Sequence, residues 1–398
     1  MSEIQPQQEI VRQSEAIAKS EMVEGPKSME VTEKYLRLTP EGRAKINYVD
    51  GLLDKFVETP DTRLKEDIVK HLEDIEHPNY EKYEELVILE IDEHSFFVTL
   101  AENENISALS VLPDGRIVSR SMDENLRIWD PDQPTKKPII LKGHEDLISA
   151  LSVLPDGRIV SGSMDKTIRI WDPDQPTKKP IIFIDEDLIS ALSVLPDGRI
   201  VSGSHDKTIR IWDSNSLQKD PIIFEGHKKR ISALSVLPDG RIVSGSHDKT
   251  IRIWNPNQPT KEPIVFKGHE DTVSALSILP DGRIVSGSWD KTVRIWDSGQ
   301  PTKEPIVFEG HEKIISTLSV LSDGKIASGS DDETIRIWNP NQPTKEPIVL
   351  EGHKEYVSSL SVLPDGRMTS SLGDGTIRIL GDPNIDYKKF YDLAFPKK

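Results

Sequence analysis

The sequence predicts an all-β fold, a β-propeller of seven four-stranded antiparallel blades, preceded by a small α-helical segment. Three observations predict it. A stretch whose clearest copy, GHEDLISALSVLPDGRIVSGSMDKTIRIWD, fills residues 143–172 recurs with a period of about 42 residues. Trp129, Trp171, Trp212, Trp254, Trp296 and Trp338 mark successive copies, and Leu380 holds the same place in a worn seventh. Each copy also divides into four short strands separated by turn residues, the pattern of a propeller blade.

In the copy around Trp171 the first strand covers residues 148–154 and turns at Pro155-Asp156-Gly157, where proline fixes φ and glycine accepts a positive one. The second strand covers 158–163, Met164-Asp165-Lys166 forms the next turn, the third covers 167–171, and the outer strand covers 180–184. Pro138, Pro180, Pro221, Pro263, Pro305 and Pro347 open the outer strands. Proline cannot donate to a ladder, so it suits an edge and discourages edge-to-edge pairing. Residues 138–141, moved back one period, land on the apolar residues 96–99, which complete no blade of their own. The expectation is that this N-terminal strand closes the ring on the seventh copy; Lys389-Phe390-Tyr391 is the competing segment.

Over residues 96–381 these copies resemble the WD-repeat propellers. The resemblance implies a hydrogen-bonded chain of Trp, Ser, His and Asp within a blade. It falls on His144, Ser161, Asp165 and Trp171, and again on His227, Ser244, Asp248 and Trp254. Two more sets are His269, Ser286, Asp290 and Trp296, and His311, Ser328, Asp332 and Trp338. An indole only donates, a hydroxyl both donates and accepts, and a buried carboxylate needs donors, so the residue types fit a relay. The same set invites a Ser-His-Asp catalytic reading, but recurrence in four copies argues for structure, and no catalytic residue is assigned. Where Gly-His is expected, the first copy has Ala101-Glu102 and the third Ile184-Asp185, which predicts that Asp123 and Asp206 lack their imidazole partner and that these blades are softer unless water substitutes. The seventh keeps His353, Ser370 and Asp374 but has Leu380 for Trp. Arg120 replaces the glycine represented by Gly162, with no account at this level.

Composition limits the function. With 398 residues, 35% of them apolar, the chain can bury a large core, and a net charge of −17 repels nucleic-acid phosphates. No cysteine is present, which excludes disulfides and thiolate chemistry and suits a reducing, cytoplasmic location. The start, MSEIQPQQEI, lacks a basic run followed by an apolar one, and no apolar stretch is long enough to span a membrane. Residues 1–34 are too polar to pack and are expected to be disordered. Residues 35–91 are expected to be helical: Thr39-Pro40-Glu41 starts a helix with Ile46, Val49, Leu53 and Phe56 on one face, and Asp61 caps a second with Leu64, Ile68, Leu72 and Ile75. Residues 79–89 offer a third. The propeller is assigned to 94–381 and a C-terminal tail to 382–398.

Two motifs are set aside. SGSMDKT lacks the glycine before lysine that a phosphate-cradling loop needs, and Ser163-x-x-Lys166 lies on a repeated turn with no oxyanion partner. His205 and His247 lie outside the relays on neighbouring blades, too far apart for one metal ion; neither metal nor cofactor is expected.

The copies align with one another, so their variable positions can be read. One is the residue before the turn aspartate: Met122, Met164, His205, His247, Trp289, Asp331, Gly373. The other precedes the first strand: Asn105, Leu147, Leu188, Arg230, Thr272, Ile314, Tyr356. The resemblance implies that both lie on one face of the disc, where partners commonly bind. Drift alone would favour small polar residues there rather than Trp, Tyr, Met, Leu and Ile. The expected partner site is Trp289, Tyr356, Arg230, His205, His247, Met122, Met164, Leu147, Leu188 and Ile314, with Trp289 as anchor. An apolar arc (Met122, Leu147, Met164, Leu188) adjoins a basic one (His205, Arg230, His247, Lys228, Lys229), which suits an acidic or phosphorylated protein or peptide. The expected function is a non-catalytic interaction scaffold or recognition subunit, its propeller monomeric. The alternatives are a substrate receptor of a ubiquitin ligase or signalling complex that docks through the helices, and a propeller enzyme, for which no copy supplies a catalytic cluster beyond the relay.

Overall fold

The computed structural model describes residues 91–92, 95–100, 106–131, 136–216, 219–350, 353 and 355–380. The expected helices, the segment 1–34 expected to be disordered and the tail 382–398 lie outside the described residues; Ile91 and Asp92 form a short strand paired with Phe96 and Ser95. Residues 97–384 form one compact unit.

That unit is the propeller. Six antiparallel sheets each follow chain order from first strand to outer strand. Blade one comprises Ile106–Val111, Ile117–Ser121, Leu126–Trp129 and Ile139–Leu141. Blade two comprises Ile148–Val153, Ile159–Ser163, Thr167–Trp171 and Ile181–Ile184, within a residue of the expected bounds. Blades three to six begin at Ile189, Ile231, Val273 and Ile315. Between the first and second strands of blade two, Gly157 has φ +87° and its N–H donates to the Leu154 carbonyl at 2.9 Å.

Blade seven supplies only Val357–Val362, Met368–Leu372 and Ile377–Leu380, and takes Ser95–Leu100 as its outer strand. The N-terminal strand therefore closes the ring, but its register is one residue further along than the period implies. Val98 pairs with Ile379 as Ile139 pairs with Ile128. The cause is a link one residue shorter from Leu100 to Ile106 than from Leu141 to Ile148. The competing segment 389–391 lies outside the described residues. Closure is reinforced where Ser358 Oγ donates to the Ile106 carbonyl and the Leu109 N–H donates to Ser359 Oγ, both at 3.0 Å.

The apolar cores lie between blades. Val160, Ile168, Ile170 and Phe183 of blade two pack with Ile189, Leu192, Ile200 and Trp212 of blade three, and the pattern repeats round the ring. A second strand such as Ile159–Ser163 is buried on both faces, because a blade lies on either side of it. Each such isoleucine contributes about 1.5–3 kcal/mol through burial. Glycine at position 162 lets the blades meet: a Cβ there would lie 2.4 Å from Ile189 Cγ2.

The first strands add an inter-blade bond that the sequence reading missed. Ser190 Oγ reaches the Ile231 carbonyl at 2.6 Å and Ser232 Oγ the Val273 carbonyl at 2.5 Å, with the same bond from Ser149, Ser274 and Ser316. This accounts for Arg120. In blade one its guanidinium donates to the Ile148 carbonyl of blade two, and burial lowers its pKa to about 10.

Candidate functional site

The second-to-third hairpin of each blade positions two residues that face different ways. In blade two, the Thr167 N–H and hydroxyl both donate to Asp165 Oδ1, at 2.8 and 2.6 Å, and hold Lys166 between them at φ +65°. A side chain rarely takes that conformation, yet Glu124, Lys207, Lys249, Lys291 and Glu333 share it at the same place. The fixed turn aims the aspartate inward. His144 Nδ1 lies 2.7 Å from Asp165 Oδ2, His144 Nε2 lies 2.7 Å from Ser161 Oγ, and Trp171 Nε1 donates to Ser161 Oγ at 2.8 Å. The donors follow from the partners. The carboxylate only accepts, so Nδ1 carries the proton and Nε2 accepts from the serine hydroxyl.

The same geometry joins His227, Ser244, Asp248 and Trp254; His269, Ser286, Asp290 and Trp296; and His311, Ser328, Asp332 and Trp338. Burial lowers the pKa of His144, His227 and His269 against the opposing pull of their aspartates, which keeps the imidazoles neutral. Burial alone would raise the Asp165 pKa, but hydrogen bonds from Thr167 and His144 lower it to about 2. Each relay serine is fully buried and already accepts the indole N–H, so no substrate carbonyl can approach its hydroxyl.

Blades one and three overturn the expectation of a stranded carboxylate. Arg127 Nη1 and Nη2 donate to Asp123 at 2.9 and 2.7 Å, and Asn125 and Ser121 donate as well. In blade three, Arg210 Nη1 bridges Asp185 at 2.8 Å and Asp206 at 2.7 Å, while Nη2 reaches Glu186 at 3.1 Å. Burial is the largest influence on both carboxyls. It raises the Asp185 pKa, whereas at Asp206 hydrogen bonds from Thr208 and Arg210 outweigh it and lower the pKa. The physical reason is a deletion. Both blades lack one residue between the preceding outer strand and the first strand, so no histidine reaches the turn. In blade two the equivalent Arg169 lies farther from its aspartate, at 3.4 Å. The signal was present in the sequence: an arginine stands at the same place in every third strand, among apolar residues. In blade seven, where Leu380 replaces Trp, buried Ser370 Oγ has no hydrogen-bond partner among the described residues, and burial drives the His353 pKa down to about 3.

The residue before each turn aspartate faces away from the relay. In blades two to seven its N–H donates to the carbonyl of the other variable residue: Met164 to Leu147, His205 to Leu188, His247 to Arg230, Trp289 to Thr272, Asp331 to Ile314 and Gly373 to Tyr356, at 2.9–3.2 Å. The two variable positions of a blade are thus adjacent, at one end of the strands. Met122, Arg230, Trp289 and Tyr356 are exposed; Leu147, Met164, Leu188, His205, His247 and Ile314 are half-buried. The apolar arc is therefore less open than turn positions suggest.

The basic arc is connected. Arg230 Nε donates to His247 Nε2 at 2.8 Å, so that nitrogen carries no proton, and His247 Nδ1 faces Thr272 Oγ1 at 3.2 Å. The His247 ring meets Trp289 edge-on at 5.3 Å. Burial first, then Arg230, lowers the pKa of both His205 and His247. Among the described residues no group of three or more His, Asp or Glu is placed to hold a metal ion. At the opposite end of the first strands, Val153, Val194, Val236, Ile278 and the turn prolines line a hollow of about 470 Å³.

Fold and site together define a seven-bladed propeller that braces blades one to six with buried, hydrogen-bonded polar groups and varies one face. The model of the WD domain, G-beta repeat, matches residues 94–130, 135–172, 181–213, 219–255, 260–297, 302–339 and 344–379, more than half of the chain. The chain belongs to the WD-repeat family. It is similar in fold to the WD40 β-propeller domain of Doa1, with a TM-score of 0.64 and 23% identity over 73% of this chain and 97% of that one. The search of curated proteins gives no match.

Proposed function

We propose that this chain is a non-catalytic recognition subunit or scaffold that binds protein or peptide partners on its variable face. The backbone bond joining the two variable residues in blades two to seven carries the reading, because it places two separately varying positions side by side at the same end of each of these blades. Protein binding is the general role of WD-repeat propellers, and the relay serines offer no accessible nucleophile.

The ligand the face suits is an acidic or phosphorylated peptide with apolar side chains. Arg230 offers a guanidinium fork in a chain of net charge −17, at the same end of the strands as an exposed indole and the half-buried Met164 and Leu188. His205 and His247 titrate below the ordinary imidazole range in the free protein, and an anion alongside raises their pKa. Binding then takes up protons, so affinity for an acidic ligand increases as pH falls through the imidazole range.

The test is fluorescence anisotropy with paired acidic, phosphoserine and neutral peptides at two salt concentrations. Acidic members should bind, with Arg230→Glu slowing association and flattening its salt dependence. Equal binding of the neutral peptides, or an Arg230→Glu variant indistinguishable from the parent, contradicts the reading.

A further inference from the structure

The outer strand of blade two differs in three ways from those of blades one and three to six. The outer strands of blades one and three to six are followed by a charged residue, Lys142, Glu225, Lys267, Glu309 or Glu351, the type of residue that keeps an edge from pairing. In blade two that place belongs to Ile184, which is 76% exposed, the most exposed large apolar side chain among the described residues. The strand is also one residue longer, because the Asp185 N–H continues the ladder to the Lys166 carbonyl at 2.8 Å.

That bond fixes which edge groups are free. Hydrogen-bonded and non-bonded residues alternate along an antiparallel pair. With Asp185 bonded inward, Phe183 and Ile181 also point their backbone groups to the third strand, and Ile182 and Ile184 point theirs outward. The side chains of the same two residues are the exposed ones, at 43% and 76%. No strand covers this edge among the described residues.

We propose that this edge pairs with the same edge of a second copy of the chain, antiparallel about a twofold axis at Phe183. Ile182 of one copy then lies opposite Ile184 of the other, so every free N–H and C=O of the two residues gains a partner and four isoleucines share one face. Charge fits the same arrangement. The segment reads Lys178-Lys179-Pro180-Ile181-Ile182-Phe183-Ile184-Asp185-Glu186-Asp187, basic before the strand and acidic after it. Antiparallel pairing sets the exposed lysines of each copy beside Glu186 and Asp187 of the other. Centring the axis on Ile182 instead would oppose Ile184 to Pro180, which has no N–H to give. This pairing replaces the expectation of a monomeric ring and is independent of the variable face. One strand pair buries little area, so the dimer is weak and concentration-dependent.

The experiment is sedimentation velocity of the full chain over a hundredfold concentration range. The expected result is a monomer–dimer equilibrium that Ile184→Lys, which restores the charge found elsewhere, abolishes without lowering the melting temperature. The register is tested separately, since the chain has no cysteine. Under mild oxidation, Ile182→Cys mixed with Ile184→Cys should give a covalent dimer that neither variant forms alone. A parent chain that stays monomeric throughout, or a dimer that survives Ile184→Lys and gives no mixed cross-link, overturns the proposal; in either case the edge is left for a strand of another protein.

Discussion

Trp289 and Asp290 are neighbours in one turn, and they belong to regions under different physical demands. Asp290 faces the blade, where it accepts from His269 at 2.6 Å and from Thr292 at 2.6 Å, and its equivalents recur in every copy. Trp289 faces out, 39% exposed, with a different residue in its place in nearly every blade. The inward region tolerates change only when buried charge and hydrogen bonding stay matched. The outward region has no such constraint, because water satisfies whatever a partner does not. On the function proposed above, one hairpin separates holding the blade from reading a ligand.

The largest effect expected is in blade three. Arg210 is nearly buried and bridges a fully buried Asp185 side chain to Asp206. Arg210→Ala strands that charge and should cost about 3–5 kcal/mol of stability. Arg169→Ala in blade two should cost less, since His144 already serves Asp165. Urea unfolding of the two variants is the check; equal losses would mean that the arginine does not stand in for the histidine.

Ser161→Ala removes the acceptor of the Trp171 N–H and the donor to His144, both buried, and should cost about 1–3 kcal/mol. Ser370→Ala removes a hydroxyl with no partner among the described residues and should be close to neutral. Matching losses in calorimetry would remove the relay from the list of what holds the blades.

A graded effect is expected with pH. His144, His227, His269 and His353 have lower pKa values folded than unfolded, so the unfolded chain binds more protons as pH falls below about 6.5. Their contribution is complete above that value and is lost on acidification. The urea midpoint should therefore decline between about pH 6.5 and pH 5, and less steeply in His353→Asn. A midpoint independent of pH over that window would show that these imidazoles are not buried neutral.

How far the sequence could be read follows from where the information sits. The period, strands, turns and four histidine relays were open to it, because a chain of repeats supplies its own alignment. The replacement of His by Arg127 and Arg210 left only a partial signal, the arginine present in every third strand, since the folded turn alone shows where that cation arrives. The same one-residue shortening displaced the register of the closing strand. Exposure at Leu147, Met164, Leu188 and Ile314 was overestimated, because a place on a turn does not by itself say how far a side chain lies against the blade. The helices expected within 35–91 lie outside the described residues.

The division of the hairpin is tested most directly by changing its two adjacent residues and measuring both properties of each variant. Asp290→Ala should lower stability by about 1–3 kcal/mol and leave affinity for an acidic peptide unchanged under conditions where the protein is folded. Trp289→Ala should leave the unfolding midpoint nearly in place and weaken binding by about 2 kcal/mol, near thirtyfold. If the two variants lose stability and affinity in the same proportion, the turn does not separate framework from recognition, and the variable face is not where this propeller meets its partner.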